Sequence, residues 1–184
     1  MRRGVLIAAA LVALAACSPQ APSSSGGASI EARRLSALED ERAIRAAADG
    51  LDLAVDRKDW AAARGFFADA VEADFSSLGG TPGAVSADAL IEGWRRNLHR
   101  NKPSFHLRGG EAITLEGDRA SMISNGYAWN ALPQRTSNQI WEGWGRYEHS
   151  FTRTPDGWRV SGLKFFLSYE RGDAGVRTET APAE

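Results

Sequence analysis

FHLRGGEAITLEGDRASMISNGYAWNAL, residues 105–132, is where the grammar of this chain changes. Past Pro103 helical spacing gives way to strict alternation. Ser121, Ile123, Asn125, Tyr127 and Trp129 fall on one face, Met122, Ser124, Gly126, Ala128 and Asn130 on the other. Glu116-Gly117-Asp118 interrupts the stretch with turn chemistry, so it reads as two antiparallel strands. QIWEGWGRYEHSFTRT follows the looser loop LPQRTSN, and Pro155-Asp156-Gly157 turns it into WRVSGLKFFLSYER. Four long strands are expected. In the third, Trp141, Gly143, Gly145, Tyr147, His149 and Phe151 share a face.

Upstream the spacing is helical. Ser36-Ala37-Leu38-Glu39 forms a capping box, and Ile44, Ala48, Leu51 and Val55 keep one stripe, predicting a helix over 37–56. Asp59 caps a short helix in WAAARGFF, ahead of a strand-like VEADF. Ser86 caps a third, ADALIEGWRRNLHR, with Leu90, Trp94 and Leu98 on one side. Helices first and a sheet afterwards argue for α+β, with the helices on one sheet face. Gly109, Gly110, Gly126, Gly143, Gly145 and Gly162 fall within strands, where glycine permits bends and bulges. The expected fold is a cone-shaped barrel: a strongly curved mixed or antiparallel sheet packed on N-terminal helices around an interior pocket.

At 184 residues, with 43% hydrophobic and 24% charged residues, the chain suits one domain with a real core. A net charge of -1 with scattered basic residues leaves no footprint for nucleic acid. MRRGVLIAAALVALAAC has two arginines, a short apolar run and small residues before Cys17. The run is shorter than the roughly 20 residues of a spanning helix and reads as an export signal, residues 1–16. Leu14-Ala15-Ala16-Cys17 looks like a lipobox, which would make Cys17, the single cysteine, the lipidated first residue of the mature protein. The bland reading is a free cysteine after an ordinary signal. Removing residues 1–16 takes Arg2 and Arg3 and leaves 20 basic against 23 acidic residues, a net of -3. Ser18 resembles the signal for outer-membrane retention in Gram-negative bacteria, facing the periplasm, and multiple acyl chains anchor firmly. Residues 17–29, with SPQAPSSSGGAS, form a polar tether, residues 30–172 the folded unit, and residues 173–184 a frayed tail.

The order AVDRKDW, FFADAVEADF, FHLRG, TLEGDRA, GRYEHSFTRTPDGWRVS resembles the SnoaL-like branch of the nuclear transport factor 2-like superfamily over roughly 37–172. The resemblance implies the conical α+β barrel, often a homodimer through the open sheet face. Its members include polyketide cyclases, ketosteroid isomerase, scytalone dehydratase, a lindane dehydrochlorinase and many proteins of no known activity. The dehydratase and the dehydrochlorinase use an aspartate–histidine pair, whose positions fall on Asp56 and His106. The family's pocket-lining aromatic pair falls on Phe66 and Phe67. The dehydrochlorinase lysine falls on Leu51, which cannot stabilise a departing anion, so chloride elimination is not expected. AADGLDLAVD also lacks the tyrosines of the dehydratase and isomerase.

An aspartate in the last turn of a helix opposes the helix dipole and needs a donating partner, which an imidazole supplies. Asp56 bonded to one His106 nitrogen would fix the tautomer and raise the basicity of the other. Against this, Asp56 lies about 120° from the centre of the buried stripe and Asp52 about 80°. Solvent exposure is the bland reading for both aspartates, a satisfied structural histidine that for His106. His99 suits a helix end, and Asp56, His106 and His149 match no metal motif, so no metal and no cofactor are expected. Asn125, Tyr127, Trp141 and Tyr147 are further pocket candidates, with Tyr127 or Asn125 polarising a substrate oxygen; the alternation leaves open which face points inward. Two readings stand. One is a cofactor-free lyase, dehydratase or isomerase acting on a small hydrophobic carbonyl or hydroxyl compound. The other is a non-catalytic envelope lipoprotein that binds a ligand or partner. A structural homodimer filled by its own aromatics is a third.

Overall fold

A computed structural model describes residues 25–181. The lipobox, Cys17 and the expected signal lie outside the described residues.

Helix α1, Ser25–Asp56, begins inside the stretch expected to be tether. Its second half carries the predicted stripe: Ile44, Ala48, Leu51 and Val55 are all buried. Its first half exposes Ile30, Leu35 and Leu38. Asp40 ties this overhang down by accepting two bonds from Arg153, both at 2.7 Å, and one from the Trp158 indole at 3.0 Å. The Arg153 hydrogen bonds hold the Asp40 carboxyl below the usual range. Asp59 caps α2, Trp60–Gly65, by accepting from the Ala62 amide at 3.1 Å. Strand β1, Phe67–Asp74, and a short β2, Gly83–Ser86, lead to α3, Ala87–Asn97, capped by Ser86 through the Ala89 amide at 3.2 Å.

The long strands follow: β3, Ser104–Glu116; β4, Arg119–Ala131; β5, Ile140–Thr154; and β6, Gly157–Gly172. They pair as an antiparallel meander. Gly117 (φ 64°) and Gly157 (φ 99°) occupy the left-handed conformation that the two tight turns require. β1 adds to β6 in parallel, and β2 pairs antiparallel with β1.

The strand order is β2-β1-β6-β5-β4-β3, with β2 and β3 at the two edges. The expected cone-shaped barrel of a strongly curved sheet is therefore corrected. The sheet is mixed and open, and its edge strands do not meet. Strand glycines permit bending without enforcing closure. Gly126 instead makes room for a ring: a Cβ there would strike the Tyr147 side chain. The core lies between one sheet face and the helices, with α1 packed on β3 and β6.

Residues 173–181, expected to fray, are placed. Asp173 caps α4, Ala174–Thr178, through the Gly175 amide at 2.7 Å, and Val176 is fully buried. The polar composition of the tail concealed one apolar anchor, and its carbonyls meet a buried lysine from outside it. Lys102, 0% exposed, donates to the carbonyls of Arg177 at 3.1 Å and Glu179 at 2.7 Å. Lys102→Met is expected to cost about 1–3 kcal/mol by leaving these acceptors short of a donor. Hydrogen exchange should accelerate in residues 173–181 while β3–β6 stay protected. Unchanged exchange there would mean that Val176 packing and the Asn97 bonds to the same two carbonyls hold the segment without Lys102.

Candidate functional site

The cavity between helices and sheet encloses about 400 Å³. Its walls are largely apolar: Leu51 and Val55 of α1, Trp94 and Leu98 of α3, and Leu163 and Phe165 of β6. Polar side chains interrupt these walls. Asp52, His106, Tyr147 and His149 line it, as do Asn97, Asn130 and Arg177.

His106 is fixed by Asp56. α1 ends at Asp56, with Lys58 in the left-handed conformation (φ 61°), so the carboxylate meets the start of β3. Asp56 Oδ1 lies 2.7 Å from His106 Nδ1 and accepts from the Ser104 hydroxyl at 3.0 Å. Asp56 Oδ2 accepts from the backbone amide of His106 at 2.8 Å. Three donors thus converge on a carboxylate that the helix dipole disfavours, and they offset that cost. Because Oδ1 is an acceptor, Nδ1 carries the imidazole proton, which leaves Nε2 as the basic nitrogen of a ring that lines the cavity. Lys58 donates to the Ser104 oxygen at 2.5 Å, and burial pushes its ammonium down to about 8.

One turn earlier stands a second rung. Arg108, whose side chain is 2% exposed, donates to Asp49 Oδ1 at 3.0 Å and has Nη1 3.2 Å from Asp52 Oδ2. Burial pushes the Asp52 carboxyl up, against the attraction of Arg108. His149 is 2% exposed and stacks on Phe151 at 5.9 Å between centroids. Its Nδ1 has no hydrogen-bond partner among the described residues. Burial, with Arg108 nearby, lowers it to about 3, so it is neutral. Burial raises the Tyr147 phenol well above its usual value.

The sequence-predicted residues divide sharply. Asp56 and His106 come together; Trp141, Tyr147 and His106 line the cavity. Phe66 and Phe67 do not. The Phe66 ring packs on the Gly50 backbone, and Phe67 meets Trp94 edge-on at 5.7 Å, so both serve the core. Asn125 and Tyr127 point away from the cavity, because Met122, Ser124, Gly126, Ala128 and Asn130 are the buried set of β4. Tyr127 donates to Glu142 at 2.8 Å and packs on Trp144. Neither can polarise a substrate oxygen in the cavity. Asp52, Asn130 and His149 are the lining residues that sequence reasoning undervalued. Alternation from Trp141 put His149 on the face of Tyr147, and the smaller offset of Asp52 from the stripe was the other signal. Among the described residues no three His, Cys, Asp or Glu side chains form a metal-holding group.

Residues 36–164 match the model of the SnoaL-like domain. A comparison with curated proteins gave no match. Among solved structures, the chain resembles the Kfla4162 protein of Kribbella flavida at 25% identity and TM-score 0.72, over 77% of this chain and 98% of that one. It resembles a candidate scytalone dehydratase from Novosphingobium aromaticivorans at 12% identity and TM-score 0.65, over 74% and 89%. A type 2 hexachlorocyclohexane dehydrochlorinase aligns at 18% identity and TM-score 0.61, over 81% and 97%. The family model spans more than half of the sequence: the chain belongs to the SnoaL-like domain family.

Proposed function

We propose that this protein is a cofactor-free lyase or isomerase acting on a small hydrophobic carbonyl or hydroxyl compound, with His106 as general base and Asp56 as its orienting partner. The observation that carries this reading is the Asp56–His106 contact of 2.7 Å, reinforced by the 2.8 Å bond from the His106 amide to the same carboxylate. A ring held at both its backbone and Nδ1 keeps Nε2 in one direction, which a base taking a proton from carbon requires. The largely apolar walls suit a substrate without a charged body.

The same walls favour a second reading, a non-catalytic binding protein, which needs the cavity and not the pair. The two separate in one experiment. Enolisable ketones and β-hydroxy carbonyl compounds are incubated with the protein in D₂O and followed by NMR for deuterium uptake at carbon and for loss of water. Uptake that disappears in His106→Gln supports the enzyme. Saturable quenching of tryptophan fluorescence without any turnover supports the binder.

The chemistry would be carried on an envelope-tethered domain. The lipobox-like Leu14-Ala15-Ala16-Cys17 supports processing after residue 16, acylation of Cys17 and retention at the periplasmic face of a Gram-negative outer membrane. No helix among the described residues is long and apolar enough to cross a membrane, so the proposed attachment rests on the acyl chains. Cys17→Ser should move the protein from the membrane fraction to the soluble fraction. Retention of the variant in the membrane would remove the anchor from this account. A homodimer would use the outer sheet face, where the rings of Tyr127, Trp144 and Tyr169 meet at a tilt in a row.

A further inference from the structure

We propose that Asp52 is a second catalytic group of the cavity, donating a hydrogen bond and then a proton to the oxygen of a ketone whose neighbouring carbon is presented to His106. This rests on the reading of His106 as the base, and it narrows the substrate class to enolisable ketones with an apolar body.

The argument starts from geometry. Asp49, Asp52 and Asp56 follow one another along α1, and the residues facing them on β3 are Ser104, His106 and Arg108. Asp56 is satisfied by three donors. Arg108 directs its aligned hydrogen bond to Asp49, at 3.0 Å, and not to Asp52. Its Nη1 approaches Asp52 Oδ2 at 3.2 Å but makes no aligned bond, and its Nε is buried without an acceptor. One guanidinium is thus shared by two carboxylates, and its better bond goes to the outer one. Asp52 alone of the three aspartates lines the cavity, with 19% of its side chain exposed.

Burial and the neighbouring Asp56 and Asp49 charges favour the neutral carboxyl at Asp52, while Arg108 and His106 oppose it; burial is the largest influence. The second histidine of the cavity, His149, is kept neutral by burial and does not supply a proton. In this assignment Asp52 is the acid and His106 the base, two side chains that line one cavity.

The step balances. His106 Nε2 takes a proton from the carbon next to the carbonyl, and the C–H pair becomes a C=C bond. The C=O π pair moves to oxygen, which takes the proton of Asp52. The product is an enol, with imidazolium at His106 and carboxylate at Asp52. Return of a proton to carbon, at the same or a conjugated position, with return of the enol proton to Asp52, completes exchange or isomerisation. No oxidant, metal or second substrate takes part.

The probe is 1-indanone, labelled with ¹³C at the carbonyl, bound to the domain. Its affinity is read by tryptophan quenching, its carbonyl stretch by infrared difference spectroscopy and its α-proton exchange by NMR in D₂O. The expected result is a carbonyl band lowered by hydrogen bonding in the unaltered protein and in Asp52→Asn, which keeps a donor. In Asp52→Leu the band should return to its position in apolar solvent. Affinity should fall about threefold to tenfold in Asp52→Leu and stay within about twofold in Asp52→Asn. Should Asp52→Leu fail to fold beside the buried guanidinium, the double variant Asp52→Leu/Arg108→Met removes both charges and is read in the same way. The proposal is overturned if 1-indanone does not bind at millimolar concentration, if its band is unshifted, or if the Asn and Leu variants lose affinity equally. A shifted band that depends on Asp52, without α-proton exchange, keeps Asp52 as a donor and removes the base reading of His106. Exchange that needs His106 and ignores Asp52 does the reverse.

Discussion

His106→Gln should keep its fold and lose about 10²–10⁴-fold in the rate of proton removal from carbon. Glutamine can still meet Asp56 through its amide, so the contact between α1 and β3 survives while the basic nitrogen does not. Circular dichroism and the melting temperature should change little, and the rate of deuterium uptake should collapse. Asp56→Asn tests the orienting half. Both carboxylate oxygens of Asp56 face donors, Oδ1 the imidazole Nδ1–H and Ser104, Oδ2 the His106 amide. An asparagine must turn its NH₂ toward one of them, so the ring loses either its tautomer or its direction. The expected signature is a large fall in kcat with KM nearly constant, because the substrate still finds the cavity. Nitrogen NMR should show His106 protonated at Nδ1 in the unaltered protein and a mixture of tautomers in the variant. A His106→Gln protein that exchanges protons at the original rate would end the enzymatic account.

The second large effect concerns acid stability and comes from His149. Its folded-state value is lowered to about 3 by burial, against 6.5 for the ordinary group. Between those values the unfolded chain binds a proton that the folded chain refuses, so stability rises with pH across the window. The contribution is fully present above 6.5 and is lost as the pH falls toward 3. At pH 4 the loss amounts to about 3 kcal/mol, a large share of the stability of a domain. Carboxylates titrate over part of the same range, so the comparison is with His149→Leu, which keeps a buried side chain of similar size and titrates nothing. Urea unfolding at pH 7 and pH 4 should show a much smaller drop for the variant. Equal drops would mean that protonated His149 reaches an acceptor or water and meets no cost of burial.

Some of this architecture was written in short-range pattern. The helical stripe of Ile44, Ala48, Leu51 and Val55, the caps at Asp59 and Ser86, and the turns at Gly117 and Gly157 are local devices, and each appears where the residues predict it. The family resemblance is also carried by local order, and the match over 36–164 bears it out. Local pattern cannot say how a sheet ends. The glycines of β3 to β6 allow bends, yet whether the edges meet depends on pairing between distant strands, and β2 and β3 remain unpaired with each other.

The site divides along the same line. Resemblance pointed to Asp56 and His106, although helix geometry argued against Asp56; the helix end, with Lys58 in the left-handed conformation, turns the carboxylate onto β3 in a way no wheel describes. Alternation grouped Trp141, Tyr147 and His149 on β5 and separated Tyr127 from Ala128 on β4, but alternation is symmetric and names no inside. Only packing against α1 and α3 decided that Trp141 and Tyr147 face the cavity and that Asn125 and Tyr127 face away. Local pattern settled the first three helices, the four long strands, their order and the family, and it missed β2, α4 and the first turns of α1. Tertiary structure alone decided the open sheet, the inward face and the company of Asp52, because those depend on which distant surfaces are buried together.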